Sequence, residues 1–198
     1  MSSVTQATAG RPHDADLTEK ILDETLRQLR SDGYAALRIE RIASAVGCGK
    51  ATLYRRWENK AVLTAEAIKR SSDLGAIPDT GTAEDDLLEH AWHNAENQKN
   101  PTDTTERRHT LWAAIIEPEV GELFWDGFLA DRRQMGRTII ARAMKRGELP
   151  EGTDSDAILD LLAGLTFYRN SIRIVPMDKE DYRPIVRALT TAPPLITH

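Results

Sequence analysis

Leu37-Arg38-Ile39-Glu40-Arg41-Ile42-Ala43-Ser44-Ala45-Val46-Gly47-Cys48-Gly49-Lys50-Ala51-Thr52-Leu53-Tyr54-Arg55-Arg56-Trp57-Glu58-Asn59-Lys60-Ala61-Val62-Leu63 is the stretch on which the fold turns. Ile39, Ile42, Ala43 and Val46 repeat at helical spacing for barely two turns and run into Gly47. Gly47-Cys48-Gly49 reads as a tight turn. Lys50 to Trp57 then carries Leu53 and Trp57 as an i, i+4 apolar pair, and Asn59 is suited to cap the helix that follows. With Leu53 at zero and about 100° per residue, Trp57 falls beside it while Ala51 and Arg55 fall opposite, flanked by Thr52 and Tyr54. One face packs and the other is free.

Two short helices joined by a glycine turn, the second basic on its free face, have the make-up of a helix-turn-helix DNA reader. An arginine fork such as Arg55 matches guanine O6 and N7, Ala51 permits close approach, and the hydroxyls of Thr52 and Tyr54 suit phosphate oxygens. Lys60, just after the Asn59 cap, adds charge where the helix dipole also favours a phosphate. The base-facing set is therefore Arg55, Ala51 and Lys50, and Leu53 and Trp57 are core.

Working outward, Asp16-Leu17-Thr18-Glu19 reads as a capping box that opens a helix over about 17–31, closed by Gly33. Residues 1–14 are expected to be a disordered leader, 15–60 the DNA-binding domain and 61–198 a larger helical domain, with a helix over about 60–73 joining the two. Beyond Pro78, helical periodicity recurs from Thr82, over about 103–116, over 119–146, from an Asp154 cap through Ile172, and over about 179–191. No convincing period-2 strand interrupts it. The fold class is all-α: a three-helix helix-turn-helix head and a larger helical ligand-binding and dimerisation domain.

Composition sets the class of chain. It has 198 residues, 29% charged and 40% hydrophobic, enough for a buried core and far from the balance of a disordered chain. Net charge is −5, but residues 1–70 carry 12 Lys+Arg against 9 Asp+Glu whereas residues 71–198 carry 14 against 22, so a small basic module is joined to an acidic one. No apolar run approaches the roughly 18 residues of a membrane span, and the N-terminus lacks the basic start and apolar centre of a secretory signal, so a cytoplasmic protein is expected. The lone Cys48 fits a reducing compartment and reads as a small apolar turn residue rather than a redox switch.

Leu37 to Leu63 resembles the DNA-binding segment of TetR-family transcriptional repressors: Ile42-Ala43, Gly47, Thr52-Leu53-Tyr54, an aromatic at 57 and Lys60 recur at the family's spacing. The resemblance implies phosphate contacts from Thr52, Tyr54 and Lys60. Arg38 stands where the family usually has Thr, exchanging a hydroxyl for a charge that joins the phosphate set. Gly49 and Ala51 replace the usual Ser and Gly, and Arg56-Trp57 the common His-Phe. Arg146-Gly147-Glu148-Leu149-Pro150 followed by Asp154 is similar to the stretch before the family's dimer helices. The family pairs its last two long helices with their symmetry mates, which implies a homodimer reading an inverted-repeat double-stranded operator and released by a small-molecule effector of unknown identity. The apolar character of 157–172 and the stripe Tyr182, Ile185, Val186 and Leu189 agree with such pairing. Leu161, Leu165, Tyr168, Ile172, Ile185 and Leu189 are the expected interface, and Trp92, Trp112, Phe124, Trp125, Phe128 and Phe167 the expected walls of an effector cavity, each also readable as plain core.

Other chemistry is thin. His90 and His93, three apart with Asp86 and Glu89 nearby, are a possible metal pair but read better as surface residues, so no metal and no cofactor is expected. Arg41 and Arg56 are solvated flank charges or phosphate ligands. No nucleophile elbow, Walker loop, dinucleotide fingerprint or zincin motif is present, which disfavours an enzyme. The rival to operator binding is a helical interaction protein whose helix-turn-helix no longer binds DNA.

Overall fold

A computed structural model describes residues 11–97, 113–173, 175 and 177–196, and every regular element among them is helical. Helix α1 spans Arg11–Asp32, buries Ile21, Leu22, Leu26 and Leu29, and stops at Gly33, whose φ of 77° is left-handed and whose N–H reaches the Leu29 carbonyl at 3.0 Å. The helix starts five residues ahead of Asp16, so the expected capping box does not open it. Pro12, which has no N–H to lose in a first turn, is compatible with the earlier start.

Helices α2 (Ile39–Val46), α3 (Lys50–Tyr54) and α4 (Lys60–Arg70) complete the head. Asn59 caps α4 as expected, its side chain accepting from the Val62 N–H at 2.9 Å. Helix α3 is shorter than the expected 50–57, although the N–H groups of Arg55, Arg56 and Trp57 still bond back to Ala51 and Leu53 carbonyls and carry the turn onward.

In the larger domain α5 spans Ala83–Asn97, started by Thr82, whose hydroxyl accepts from the Asp85 N–H at 3.1 Å. The helix expected over 103–116 lies outside the described residues except for a helical turn at 113–116. The segment expected as one amphipathic helix over 119–146 is instead α6 (Pro118–Phe124), a π-helical turn (Trp125–Leu129) and α7 (Ala130–Lys145), run end to end. Helix α8 (Ser155–Phe167), capped by Asp154, passes into a second π turn (Tyr168–Ile172), and α9 (Lys179–Thr191) opens on a capping box of Asp178 and Asp181.

Two cores result. The first joins the head, through Ile21, Leu37, Ile42, Leu53, Trp57 and Leu63, to Val120, Phe124 and Phe128 of the α6–π segment. The second holds Leu87, Leu88, Ile139, Ile140, Ile158 and Tyr182 from α5, α7, α8 and α9. No helix among the described residues is long and apolar enough to cross a membrane.

A polar tie fastens the second core. Asp86 is fully buried and accepts from the Thr80 N–H at 2.5 Å, the Thr80 hydroxyl at 2.8 Å and Arg142 at 2.9 Å, with Arg146 at 3.6 Å. Burial pushes this carboxyl up, and the Thr80 and Arg142 hydrogen bonds outweigh it, so it sits below its ordinary value of 3.8. Its stabilisation is therefore complete above that value and is lost as pH falls through the lowered one. Asp86→Asn should cost about 2–4 kcal/mol at neutral pH. Urea unfolding followed down through about pH 4 should then fall less steeply for the variant than for the parent.

Candidate nucleic-acid interface

The turn between α2 and α3 is built on backbone conformation. Gly47 sits at φ 73°, a left-handed conformation that L side chains rarely adopt, and the Cys48 N–H returns to the Ala43 carbonyl at 2.9 Å. Gly49 precedes α3 in ordinary extended conformation at φ −75°. Leu53 and Trp57 are buried, and the Trp57 indole N–H donates to Glu66 at 2.6 Å, which ties the turn after α3 to α4. Lys50, Ala51, Tyr54 and Arg55 are exposed and Thr52 is half-buried, so the face expected to be free is free.

Three residues of the expected phosphate set are brought together. Arg38, Tyr54 and Lys60 line one shallow groove between the N-terminal ends of α2 and α4, with Glu40 and Glu58 also on its walls. Thr52 does not line that groove. The Lys60 ammonium donates to the Tyr34 carbonyl at 3.1 Å and stands 3.9 Å over the Tyr34 ring, while Arg38 folds back to the carbonyls of Ala35 (2.7 Å) and Leu37 (2.9 Å). Both cations are thereby oriented at the rim of the groove. Arg41 pairs with Asp32 at 2.9 Å and Arg56 bonds the Thr18 hydroxyl on α1, so these two charges brace the head. Cys48 is half-buried against the first core.

A cavity of about 350 Å³ lies between α5, the first π turn, α7 and α8. Of the aromatics expected there, Phe167 and Trp125 line it. Phe124 and Phe128 do not: they stack on each other at 5.4 Å inside the first core. Trp92 instead meets Tyr182 edge-on at 6.3 Å, and Trp112 lies outside the described residues. The reason is the helix phase at the π turn, which turns Phe124 and Phe128 into the first core and Trp125 toward the cavity, with Leu129 both lining the cavity and packing against that core. His90, Arg132 and Arg133 also line the cavity, and sequence reading did not place them there. His90 is buried, and burial, with the Arg132 charge next, drives its pKa down to about 3, so it is neutral. His93 turns away to the Asp73 carbonyl at 3.0 Å, and no metal-binding cluster occurs among the described residues.

Sequence comparison finds two family models on the chain: the bacterial regulatory proteins of the tetR family over residues 21–67, and a tetracyclin repressor-like C-terminal domain over residues 77–189, more than half the chain. The chain belongs to the TetR family. It is a transcriptional regulator whose helix-turn-helix is a DNA-binding module. An uncharacterised regulator of Bacillus subtilis, YdeS, is 28% identical over 165 residues, 83% of each chain. The regulator AqdR of Rhodococcus erythropolis is 30% identical over 152 residues, 76% of this chain and 72% of that one. The crystal structure of the TetR-family regulator SCO0332 superposes with a TM-score of 0.61 at 24% identity, covering 89% of this chain and 97% of the other.

In this TetR-family chain the helices after Asp154 leave an apolar face uncovered. Leu161 is 53% exposed, Tyr168 50% and Ile172 59%, with Ile185 also exposed, while Leu165 and Leu189 are half-buried against the second core.

The two turn glycines separate backbone strain from contact. A Cβ at Gly47 or Gly49 meets nothing within 4 Å, so only conformation differs. Gly47→Ala should cost about 1–2 kcal/mol and Gly49→Ala less than about 0.5 kcal/mol, measured by chemical unfolding. Equal costs would show that the left-handed turn does not constrain the motif.

Proposed function

We propose that this regulator is a homodimeric repressor that reads an inverted-repeat operator through two α3 helices in successive major grooves and is released by a small molecule held in the cavity. The exposed α3 face carries the reading: Lys50, Ala51 and Arg55 project from it, and a groove holding Arg38, Tyr54 and Lys60 lies alongside. In the proposal Arg55 reads a guanine, Ala51 and Lys50 approach neighbouring bases, and Thr52, Tyr54, Lys60 and Arg38 hold phosphates. The uncovered face of Leu161, Tyr168, Ile172 and Ile185, joined at its edges by Leu165 and Leu189, is the surface that a second copy covers.

Release follows from the turn between the two cores. Trp125 and Leu129 line the cavity while Phe128 of the same π turn, and Phe124 just before it, are buried in the first core with residues of α4. A second link is the Tyr34 hydroxyl, which donates to Glu119 on α6; burial and then that carboxylate raise the Tyr34 pKa, so the hydroxyl remains a donor at neutral pH. A ligand that prefers one setting of the π turn shifts the population of head spacings, and only one spacing fits successive grooves.

Selection of genomic fragments by the purified protein, with salt titration on the winners, tests this. The expected result is an inverted repeat bound by a dimer with a steep salt slope; a folded protein that enriches no fragment at low salt, with or without candidate ligands, would overturn it. On the selected operator, Arg55→Ala should cost about 1–3 kcal/mol and relax preference at one base position. Lys60→Met, which keeps the stem on Tyr34, should weaken all sequences alike and flatten the salt slope by roughly one unit for each phosphate no longer neutralised. A change of base preference with Lys60→Met would refute its phosphate role.

A further inference from the structure

We infer that the cavity takes an apolar molecule bearing a single carboxylate, with Arg132 as its counter-charge and His90 as a second polar contact; this rests on the effector reading above. Arg132 is 5% exposed and is the only buried lysine or arginine among the described residues. Its guanidinium donates to two backbone carbonyls, Leu74 at 3.3 Å and His90. Carbonyls take two of its N–H groups and bring no negative charge to offset its own. The neighbouring arginines contrast with it: Arg133, Arg137, Arg142, Arg146, Arg183 and Arg187 all have a carboxylate within 4 Å, although all are more exposed. A buried charge without a partner is costly, and an anion entering from the cavity removes that cost.

The other groups around Arg132 leave the position open to an anion. Asp73, the acidic residue that acts on it, is largely exposed and holds the Gly75 N–H at 2.9 Å. Burial outweighs Asp73 and lowers the Arg132 pKa to about 10, which leaves the guanidinium charged at neutral pH. Asp160 at the cavity wall is already held by Arg133 at 2.5 Å, and Arg133 also binds Asp156 at 2.6 Å, so that pair of carboxylates is engaged. His90, 6% exposed, is a second and independent sign: its Nδ1 is buried with no hydrogen-bond partner. A neutral imidazole supplies one N–H, and a carboxylate has an oxygen to spare for it. The remaining wall is apolar, with Trp125, Leu129, Leu162 and Phe167 suited to a hydrocarbon or ring body. At about 350 Å³ the volume is at the small end for ligand cavities.

Two matched probe sets test the inference on the full chain: decanoate, 1-decanol and decylamine, and 2-naphthoate, 2-naphthalenemethanol and 2-naphthylmethylamine, by calorimetry at neutral pH with tryptophan fluorescence as a second readout. In at least one set the carboxylate should bind about tenfold or more tighter than the alcohol, with the amine weakest. Arg132→Gln should remove that preference and change the alcohol's affinity less than about twofold. Should that variant not fold, the ranking on the parent chain decides alone. An alcohol or amine that binds as well as the carboxylate overturns the ligand class and leaves the effector cavity standing. No binding in either set up to millimolar probe removes the cavity reading and this inference together.

Discussion

The packing of Phe124 and Phe128 against the head is the interaction on which the rest of the arrangement depends. Both rings are buried in the same core as Leu53, Trp57 and Leu63, and each contributes about 1.5–3 kcal/mol of transfer free energy there. The chain that carries them continues as a π turn into α7, whose Ile139 and Ile140 lie in the second core. One continuous helical segment is thus anchored at both ends in different cores. Because packed cores are bistable rather than continuously deformable, the proposed release carries a change beside Trp125 to α4 as a rigid displacement. Lys60 opens α4, which links that proposed displacement to the groove where a phosphate is proposed to bind.

Charge is distributed to match. In the larger domain the arginines of α7 and α9 are tied to carboxylates of α5, α8 and the preceding loops, as in Arg183 to Asp85 at 3.0 Å and Arg187 to Glu84 at 2.9 Å. Exposed pairs of this kind contribute little each and serve mainly to fix how α9 lies on α5. Asp86 differs because it is fully buried and satisfied from several directions. Arg132 differs in the opposite sense, being buried and uncancelled. The acidic balance of residues 71–198 conceals this buried cation at the cavity wall.

The head was legible because its determinants are local. Gly47, the Leu53 and Trp57 pair and the Asn59 cap are set by neighbours within a few positions, and each takes its expected conformation. The groove was legible only in part: Arg38, Tyr54 and Lys60 are recognisable as separate residues, while their convergence depends on how α2 and α4 each pack on α1. The cavity was the least legible. Phe124 and Phe128 carry the same helical spacing whether they face a ligand or a core, and a π turn that shifts helix phase leaves no mark in apolar periodicity. His90 reads in the sequence as half of a histidine pair, yet its surroundings come from Arg132, distant in sequence. The start of α1 at Arg11 shows a locally adequate cap overridden by a longer run of helix-compatible residues.

Native-state hydrogen exchange on the ligand-free protein and on Phe128→Ala decides whether the head and residues 120–128 open as one unit, because it reports which helices open together. The substitution should lower the opening free energy of amides in α1, α4 and 120–128 by a common amount, about 3–5 kcal/mol at most, and leave α5 and α8 nearly unchanged. A loss confined to α7 and α8, or shared equally by α5 and α8, would contradict it.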